Sequence, residues 1–262
     1  MATDPSNPPT LDPLVARAEP RTWRHWATAL AHSSRQRLAA LGLVLVLGFL
    51  LGLGSLAVFA TLAGEVAEQE TARLDTAVLL WLHQFASPGL DLAAQAISLL
   101  GSELLDAFVV LLLISFIWRR QWGAAVGLVL VVGGAFLLDS ALKAWFQRPR
   151  PSELPSFFPG QSNSFPSGHA MVSAAFYSYL AYLTWRTVRG GRRVLWVGLL
   201  ATLVLLIGLS RLYLGVHYLT DVVAGYLAGL IWTDCVILAG AALRQRPQAS
   251  TARPRMPAER IT

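Results

Sequence analysis

Long apolar runs constrain this chain more than any other feature of its sequence. Residues 38–63 contain no charged side chain, and this run exceeds the roughly 20 residues that a helix needs to cross a bilayer. Only 14% of the residues are charged and 55% are hydrophobic, whereas a soluble domain normally has about 25% charged residues. The sequence therefore predicts an all-α integral membrane protein and not a water-soluble domain.

The apolar segments predict a bundle of six transmembrane helices. Their expected bounds are 38–63, 99–118, 123–144, 168–185, 194–212 and 220–242. Because six is an even number, both termini are expected on the same side of the membrane. The intervening stretch 65–91 is acidic and then amphipathic, which favours a position along the outer surface.

The basic residues indicate which side that is. With cytoplasmic termini, sixteen of the 21 Lys and Arg residues lie on the inner side, as the positive-inside rule requires. The five on the outer side are Arg73, Lys143, Arg148, Arg150 and Arg211. Basic residues that oppose this rule are candidates for function. Since the others lie between apolar segments, the net charge of +6 does not indicate a nucleic-acid partner.

The two ends of the chain differ from the membrane domain predicted at residues 38–243. Residues 1–37 are expected to form a cytoplasmic tail, in which Trp23, Trp26 and Leu30 among arginines are typical of an interfacial helix. Residues 244–262 are expected to form a disordered basic cytoplasmic tail. Cys235 is the single cysteine, so no internal disulfide is expected.

Three polar segments are expected at the outer ends of the predicted helices. They are Lys143 to Pro151 after the third helix, Pro166-Ser167-Gly168-His169 at the start of the fourth, and Ser210 to Asp221 between the fifth and sixth. Because all three reach the same membrane face, the sequence predicts that they form one site.

The residue types in these segments favour a phosphoryl group. Lys143, Arg150 and Arg211 supply three cations, and the arginine fork suits bidentate contact with phosphate oxygens. Pro166-Ser167-Gly168 opens a helix, whose free backbone N–H groups form an anion site. The glycine also allows a phosphate to approach the backbone closely.

Two histidines and an aspartate complete the predicted site. His217 and Asp221 are four residues apart and share one face of a helix. A carboxylate bonded to one imidazole nitrogen fixes the tautomer and leaves the other nitrogen as nucleophile or base. His169 is in a position to protonate a leaving group. The set therefore predicts phosphoryl transfer.

These motifs resemble the three-part signature of the type 2 phosphatidic acid phosphatases. The pattern Lys-x6-Arg-Pro, Pro-Ser-Gly-His and Ser-Arg-x5-His-x3-Asp is present with every spacing intact, and the resemblance covers roughly residues 38–242. It implies that His217 attacks phosphorus, that Asp221 supports it and that His169 protonates the departing oxygen. It also implies that Lys143, Arg150, Arg211, Ser167 and the Gly168 amide hold the phosphoryl oxygens, and that neither a metal nor another cofactor is needed.

Other polar residues are expected to have lesser roles. Asp139 is predicted to pair with Lys143, four residues later, and Pro166 and Ser210 to support the site. Arg148 lies between two motif positions, which favours an interfacial anchor or a secondary head-group contact. The remaining set is expected to be dispensable or solvated, and consists of Glu103, Asp106, His25, His32 and His83.

Together these features predict a phosphatase of membrane lipids with an extracytoplasmic site in a bacterial inner membrane. The expected substrates are undecaprenyl pyrophosphate, phosphatidylglycerol phosphate or phosphatidate, with a slight preference for the first. One alternative is a phosphotransferase that passes the phosphoryl group to another acceptor. Another is a non-catalytic lipid-binding or transport protein, which the intact His169, His217 and Asp221 disfavour. Soluble acid phosphatases and vanadium haloperoxidases share the signature, but the apolar spans argue against both.

Overall fold

A computed structural model describes residues 46, 48–154 and 163–244 of the chain. The chain divides into two compact units, Met1–Leu47 and Gly48–Thr262. The helices given below belong to the second unit. The predicted N-terminal tail with its interfacial helix, the first part of the first predicted span, and residues 245–262 lie outside the described residues.

The described residues form α-helices and parts of the connections between them, with no strand among them. The helices are α1 (Gly48–Ala67), α2 (Ala72–His83), α3 (Pro88–Leu99), α4 (Glu103–Trp118), α5 (Trp122–Phe146), α6 (Gly168–Thr187), α7 (Gly191–Tyr213) and α8 (Leu219–Arg244). The all-α class predicted from the apolar runs is confirmed.

Five segments in the described part of the chain are long and apolar enough to cross a membrane. They are Gly48–Ala67, Pro88–Trp118, Trp122–Phe146, Gly191–Tyr213 and Leu219–Leu243. Their large apolar side chains point outward to an unusual degree, with Leu51 66%, Leu111 62% and Leu137 72% exposed. A surface of this kind is stable against hydrocarbon and not against water.

The central helix α6 is less apolar than these five segments. It packs most extensively against α8, and also against α7 and α5. Glycines allow α8 to approach closely, because a Cβ at Gly229 would lie 2.3 Å from the carbonyl oxygen of Met171 and one at Gly225 2.7 Å from that of Ser167. Small residues at a helix interface are the usual means of close packing in membranes.

The predicted bounds that can be compared differ from the observed ones by at most four residues. The prediction of a single helix over 99–118 is wrong, since the apolar segment Pro88–Trp118 consists of α3 and α4, which are separated by a turn at residues 100–102. At this break, a Cβ on Gly101 would lie 2.6 Å from the Ile207 side chain of α7. Gly101 therefore lies in close contact with a distant helix, which the apolar pattern could not reveal.

Candidate active site

Backbone and side-chain hydrogen bonds bring the three polar segments to one end of the helix bundle. The Ser164 N–H donates to the Arg148 carbonyl at 2.8 Å, and the Asn163 amide donates to the Lys143 carbonyl at 2.8 Å. The Ser167 N–H donates to the Asp221 carbonyl at 2.9 Å. The end of α5, the start of α6 and the start of α8 are therefore joined directly.

His217 and Asp221 are both buried in the turn between α7 and α8 and the first turn of α8. Gly215 has a φ of +68°, which lets the chain turn sharply between the two helices. Nδ1 of His217 lies 3.6 Å from Oδ2 of Asp221, longer than a hydrogen bond. The same Oδ2 accepts the Tyr218 N–H at 2.9 Å. The carboxylate thus faces the imidazole and is fixed by the backbone.

The environment of His217 keeps its imidazole neutral. Burial lowers the pKa of His217 from 6.5 to about 4, although the neighbouring Asp221 acts in the opposite direction. Nearby Arg211 and Arg150 lower it further. A neutral imidazole has a lone pair on one ring nitrogen, as a nucleophile requires.

His169 lies in the first turn of α6, close to the other charged groups of the signature. It is half-buried and interacts electrostatically with Arg211, His217, Lys143 and Arg150. The structure therefore brings together two histidines that are 48 positions apart in the sequence.

The three signature cations have different surroundings. Lys143 donates to Asp139 at 2.8 Å, which is the pair expected from their spacing. Arg211 is buried and donates from Nη1 to the Ser98 hydroxyl of α3 at 2.6 Å. Arg150 is half-buried in the connection after α5, and burial lowers its pKa.

The start of α6 lies directly against the Asp139–Lys143 pair. A Cβ on Gly168 would lie 2.9 Å from Oδ2 of Asp139 and 3.0 Å from Nζ of Lys143. The Ser167 side chain is buried, and its hydroxyl has no hydrogen-bond partner among the described residues. A buried unpaired hydroxyl in a native fold calls for an explanation, and a bound anion would provide one.

Two supporting residues of the signature contribute to the local structure. Pro166 follows a cis peptide bond and is buried with Phe165. Ser210 donates its hydroxyl to the Ile207 carbonyl of its own helix at 2.6 Å. In the described part of the chain, no group of three or more His, Cys, Asp or Glu residues could hold a metal ion.

Known proteins resemble this chain in sequence. The family profile described as PAP2 superfamily matches residues 124–244. Phosphatidylglycerophosphatase B of Bacillus subtilis is 31% identical over 178 residues, covering 66% of this chain and 86% of the relative. The chain belongs to the PAP2 superfamily. The family expected from the signature is therefore confirmed.

Two solved structures resemble this one. The transmembrane PAP2 type phosphatidylglycerolphosphate phosphatase from Bacillus subtilis matches with a TM-score of 0.67 and 28% identity, over 75% of this chain and 98% of that one. LpxE of Aquifex aeolicus matches with a TM-score of 0.52 and 26% identity, over 63% and 94%. This PAP2 chain is accordingly an integral membrane protein.

A shorter match involves a different named substrate. "Putative undecaprenyl-diphosphatase YbjG" of Escherichia coli is 44% identical over 70 residues, which cover 26% of this chain and 31% of the relative. The match is confined to a minor part of both chains.

Arg148 does not have the position expected for it in this PAP2 chain. Its guanidinium donates to Asp221 at 2.6 Å and to Asp75 at 2.7 Å, and its side chain is only 14% exposed. The interpretation as an interfacial anchor is therefore wrong, since two buried carboxylates bind the group, whereas the secondary head-group contact stays a prediction. The sequence indicated a functional role for Arg148 only in that it is one of the five basic residues expected on the outer side.

Asp75 was not identified from the sequence at all. It lies on α2 and is fully buried, although α2 belongs to a stretch expected to lie along the outer surface. A single acidic residue on an amphipathic helix has no pattern that would distinguish it. By contrast, Glu103 and Asp106 are exposed in the first turn of α4, in agreement with a solvated helix end.

Proposed function

We propose that this protein hydrolyses the phosphomonoester or pyrophosphate group of a membrane lipid through a covalent phosphohistidine at His217. Membership of the PAP2 superfamily supports a lipid phosphatase. The observation that carries the proposal is the grouping of His217, Asp221 and His169 with three cations at one end of the bundle. No step requires a group beyond these side chains and water.

In the first step, Nε2 of His217 attacks phosphorus while the bond from phosphorus to the lipid-side oxygen breaks. Nδ1 faces Asp221, so the tautomer with the proton on Nδ1 leaves the Nε2 lone pair for attack. His169 donates a proton to the departing oxygen. The positive charge that forms on the imidazole is stabilised by the Asp221 carboxylate.

In the second step, water attacks the phosphoryl group. His169, now neutral, accepts a proton from the water, and the bond between Nε2 and phosphorus breaks. Inorganic phosphate is released, and His217 returns to its neutral form. Each histidine therefore ends the cycle in the protonation state in which it began.

The charge on the transferring group is balanced by side chains and a helix terminus. Lys143, Arg150 and Arg211 are proposed to bind the phosphoryl oxygens, because transition-state charge is best stabilised by donors that are already oriented. The Ser167 hydroxyl and the Gly168 amide add donors at the start of α6, where the helix dipole favours an anion. We propose on this basis that the reaction needs no metal.

The site is proposed to face the extracytoplasmic side. The support is the charge distribution, since cytoplasmic termini give the inner loops sixteen of 21 basic residues. This topology requires α6 as a sixth span in addition to the five apolar ones. It also assigns residues 1–37 and 244–262 to cytoplasmic tails that flank the membrane domain 38–243.

The proposed substrates are lipids with a terminal phosphate. Phosphatidylglycerol phosphate is supported by the longer relative and by the solved structure, whose names carry it. Undecaprenyl pyrophosphate is supported by the shorter match. Phosphatidate remains a third candidate from the resemblance to the type 2 phosphatases.

The test is phosphate release from these three lipids by purified protein in detergent with EDTA. We expect release by the wild type that resists the chelator and is lost in His217→Ala. Acid-free rapid quenching with labelled lipid, followed by peptide mass spectrometry, should locate the label on His217. Equal release by His217→Ala would reject the nucleophile, and loss of activity on chelation would reject the metal-free mechanism. Transfer of label to added alcohols in place of water would support the phosphotransferase alternative.

A further inference from the structure

A buried polar network binds Asp221 and includes Arg148 and Asp75, which lie outside the family signature. Nη1 of Arg148 donates to Oδ1 of Asp221 at 2.6 Å and to the Thr220 hydroxyl at 2.8 Å. Nη2 donates to Oδ2 of Asp75 at 2.7 Å. The guanidinium therefore bridges two carboxylates, one on α2 and one on α8.

Asp75 also binds the start of α8 directly. Its Oδ1 accepts the Thr220 N–H at 3.0 Å, and its Oδ2 accepts the Thr220 hydroxyl at 2.7 Å. Thr220 lies in the first turn of α8, where backbone N–H groups lack partners within the helix. Asp75 thus caps α8 from another helix, 145 positions away in the sequence.

Because the charged groups of this network are buried, each of them depends on the others for its stabilisation. Asp75 and Asp221 have no side-chain exposure, and a buried charge is costly unless it is paired and hydrogen-bonded. Arg148 separates the two carboxylates and offsets their mutual repulsion. Tyr218 packs against the network, since the centroid of its ring lies 4.4 Å from the guanidinium carbon of Arg148.

The geometry fixes the carboxylate that faces His217. Oδ1 of Asp221 is bound to Arg148, so the carboxylate cannot rotate without losing a charge-assisted bond. Oδ2 is then directed to the Tyr218 N–H at 2.9 Å and to Nδ1 of His217 at 3.6 Å. The network therefore extends from Asp75 through Arg148 and Asp221 to the imidazole.

We propose that Arg148 and Asp75 are positioning residues that hold Asp221 ionised and directed at Nδ1 of His217, and so select the tautomer in which Nε2 is free to attack. This inference rests on the roles proposed above for His217 and Asp221. It distinguishes Arg148 from Lys143, Arg150 and Arg211, which are proposed to bind the phosphoryl group itself.

Steady-state kinetics separates positioning from substrate binding. We expect Asp75→Asn and Arg148→Lys to lower kcat by roughly 10–100-fold, as is usual for residues that orient a functional side chain, with KM changed by less than about 3-fold. Both substitutions are nearly isosteric or keep the charge, so the fold should survive. The control is Arg73→Gln, which removes an exposed arginine of α2 and should leave kcat and KM unchanged.

A double-mutant comparison tests whether Arg148 acts through Asp221. Residues that act as a unit are not additive, so Arg148→Lys should lower kcat by less than about 3-fold when Asp221→Asn is already present. A full additive loss in that background would overturn the inference. A raised KM with an unchanged kcat would do the same, because it would make Arg148 a substrate ligand.

Nitrogen NMR of ¹⁵N-histidine-labelled protein in detergent gives a readout that does not require turnover. The His217 signals, assigned with His217→Ala, should show the Nδ1–H tautomer in the wild type and a shift toward the other tautomer in Asp75→Asn and Arg148→Lys. An unchanged tautomer in both variants would overturn the inference. If no lipid is hydrolysed, the proposed function fails, whereas the NMR result still decides whether the network positions His217.

Discussion

At the scale of single residues, burial determines what His217 can do. A histidine in water is partly protonated near neutral pH, and the protonated ring has no lone pair to offer. The 1% exposure of His217 disfavours the charged form. In the proposed mechanism, Asp221 is close enough to stabilise the positive charge that would develop on the imidazole during attack, so the same residue is neutral before the reaction and tolerates positive charge during it.

The first prediction at this scale concerns His217 itself. His217→Ala should reduce phosphate release by roughly 10³–10⁶-fold, because loss of a nucleophile removes the covalent route. The measurement is initial rate at saturating lipid, with circular dichroism to verify the helical fold. His83→Ala, on α2 and outside the site, is the matched control and should retain wild-type activity. A comparable loss in both variants would point to a general effect on the membrane domain.

The second prediction concerns pH. Because burial lowers the pKa of His217 to about 4, its imidazole should stay neutral from pH 8 down to about pH 5. The unfolded chain takes up this proton near pH 6.5, so the contribution of His217 makes the fold less stable as the pH falls from 6.5 toward 4. An NMR titration of labelled histidine, assigned with His217→Ala, checks the value. A midpoint at or above 6.5 would contradict it.

At the scale of elements, close packing of α6 against α8 positions the two halves of the site. His169 begins one helix and Asp221 the other, and the Ser167 N–H joins them through the Asp221 carbonyl. Gly225 and Gly229 bring α8 within contact distance of the α6 backbone. The distance between the two histidines therefore depends on glycines that take no part in the chemistry.

The third prediction follows from this interface. Gly229→Ala should destabilise the protein by about 1–3 kcal/mol, as overpacking usually does, because the new Cβ would lie 2.3 Å from the Met171 carbonyl. Thermal unfolding in detergent is the measurement. Gly198→Ala on α7 is the control, since nothing lies within 4 Å of its Cβ, and should be neutral or slightly stabilising. Equal melting temperatures for the two variants would show that the interface can yield.

At the scale of the whole molecule, the outward apolar faces indicate a membrane protein, and the charge distribution supports the orientation proposed above. The candidate site lies where α5 and α7 end and where α6 and α8 begin. Basic residues cluster where α6 ends and α7 begins, at the opposite end from the site, namely Arg186, Arg189, Arg192 and Arg193. This asymmetry is the support for the proposal that the site faces the extracytoplasmic side.

The fourth prediction tests that orientation. In a Cys235→Ser background, Glu70→Cys should react with an impermeant thiol reagent in intact bacterial cells, because the α1–α2 turn is expected outside. Arg189→Cys should react only after the cells are permeabilised. Both positions are exposed, so a difference in labelling reports the side of the membrane. The reverse pattern would place the site in the cytoplasm.

The sequence by itself determined the all-α class, most of the helix bounds and which residues form the three-part signature. Predicted bounds such as 123–144 and 220–242 agree closely with α5 and α8, because apolar length and helix ends are local properties. The motif residues could be assigned to one site because their helices end at one face. The predicted Asp139–Lys143 pair is likewise a consequence of spacing within one helix.

Only the tertiary structure decided which buried groups contact the residues of the candidate site. Asp75 meets Arg148 across 73 positions and Thr220 across 145, and no local pattern encodes such a contact. The close contact between the turn that separates α3 from α4 and Ile207 of α7 is likewise set by the packing, since a Cβ at position 101 would lie 2.6 Å from the Ile207 side chain. Periodicity and spacing in the sequence predict which residues are neighbours along one helix. The partners of a buried charge are determined by the packing of the whole bundle.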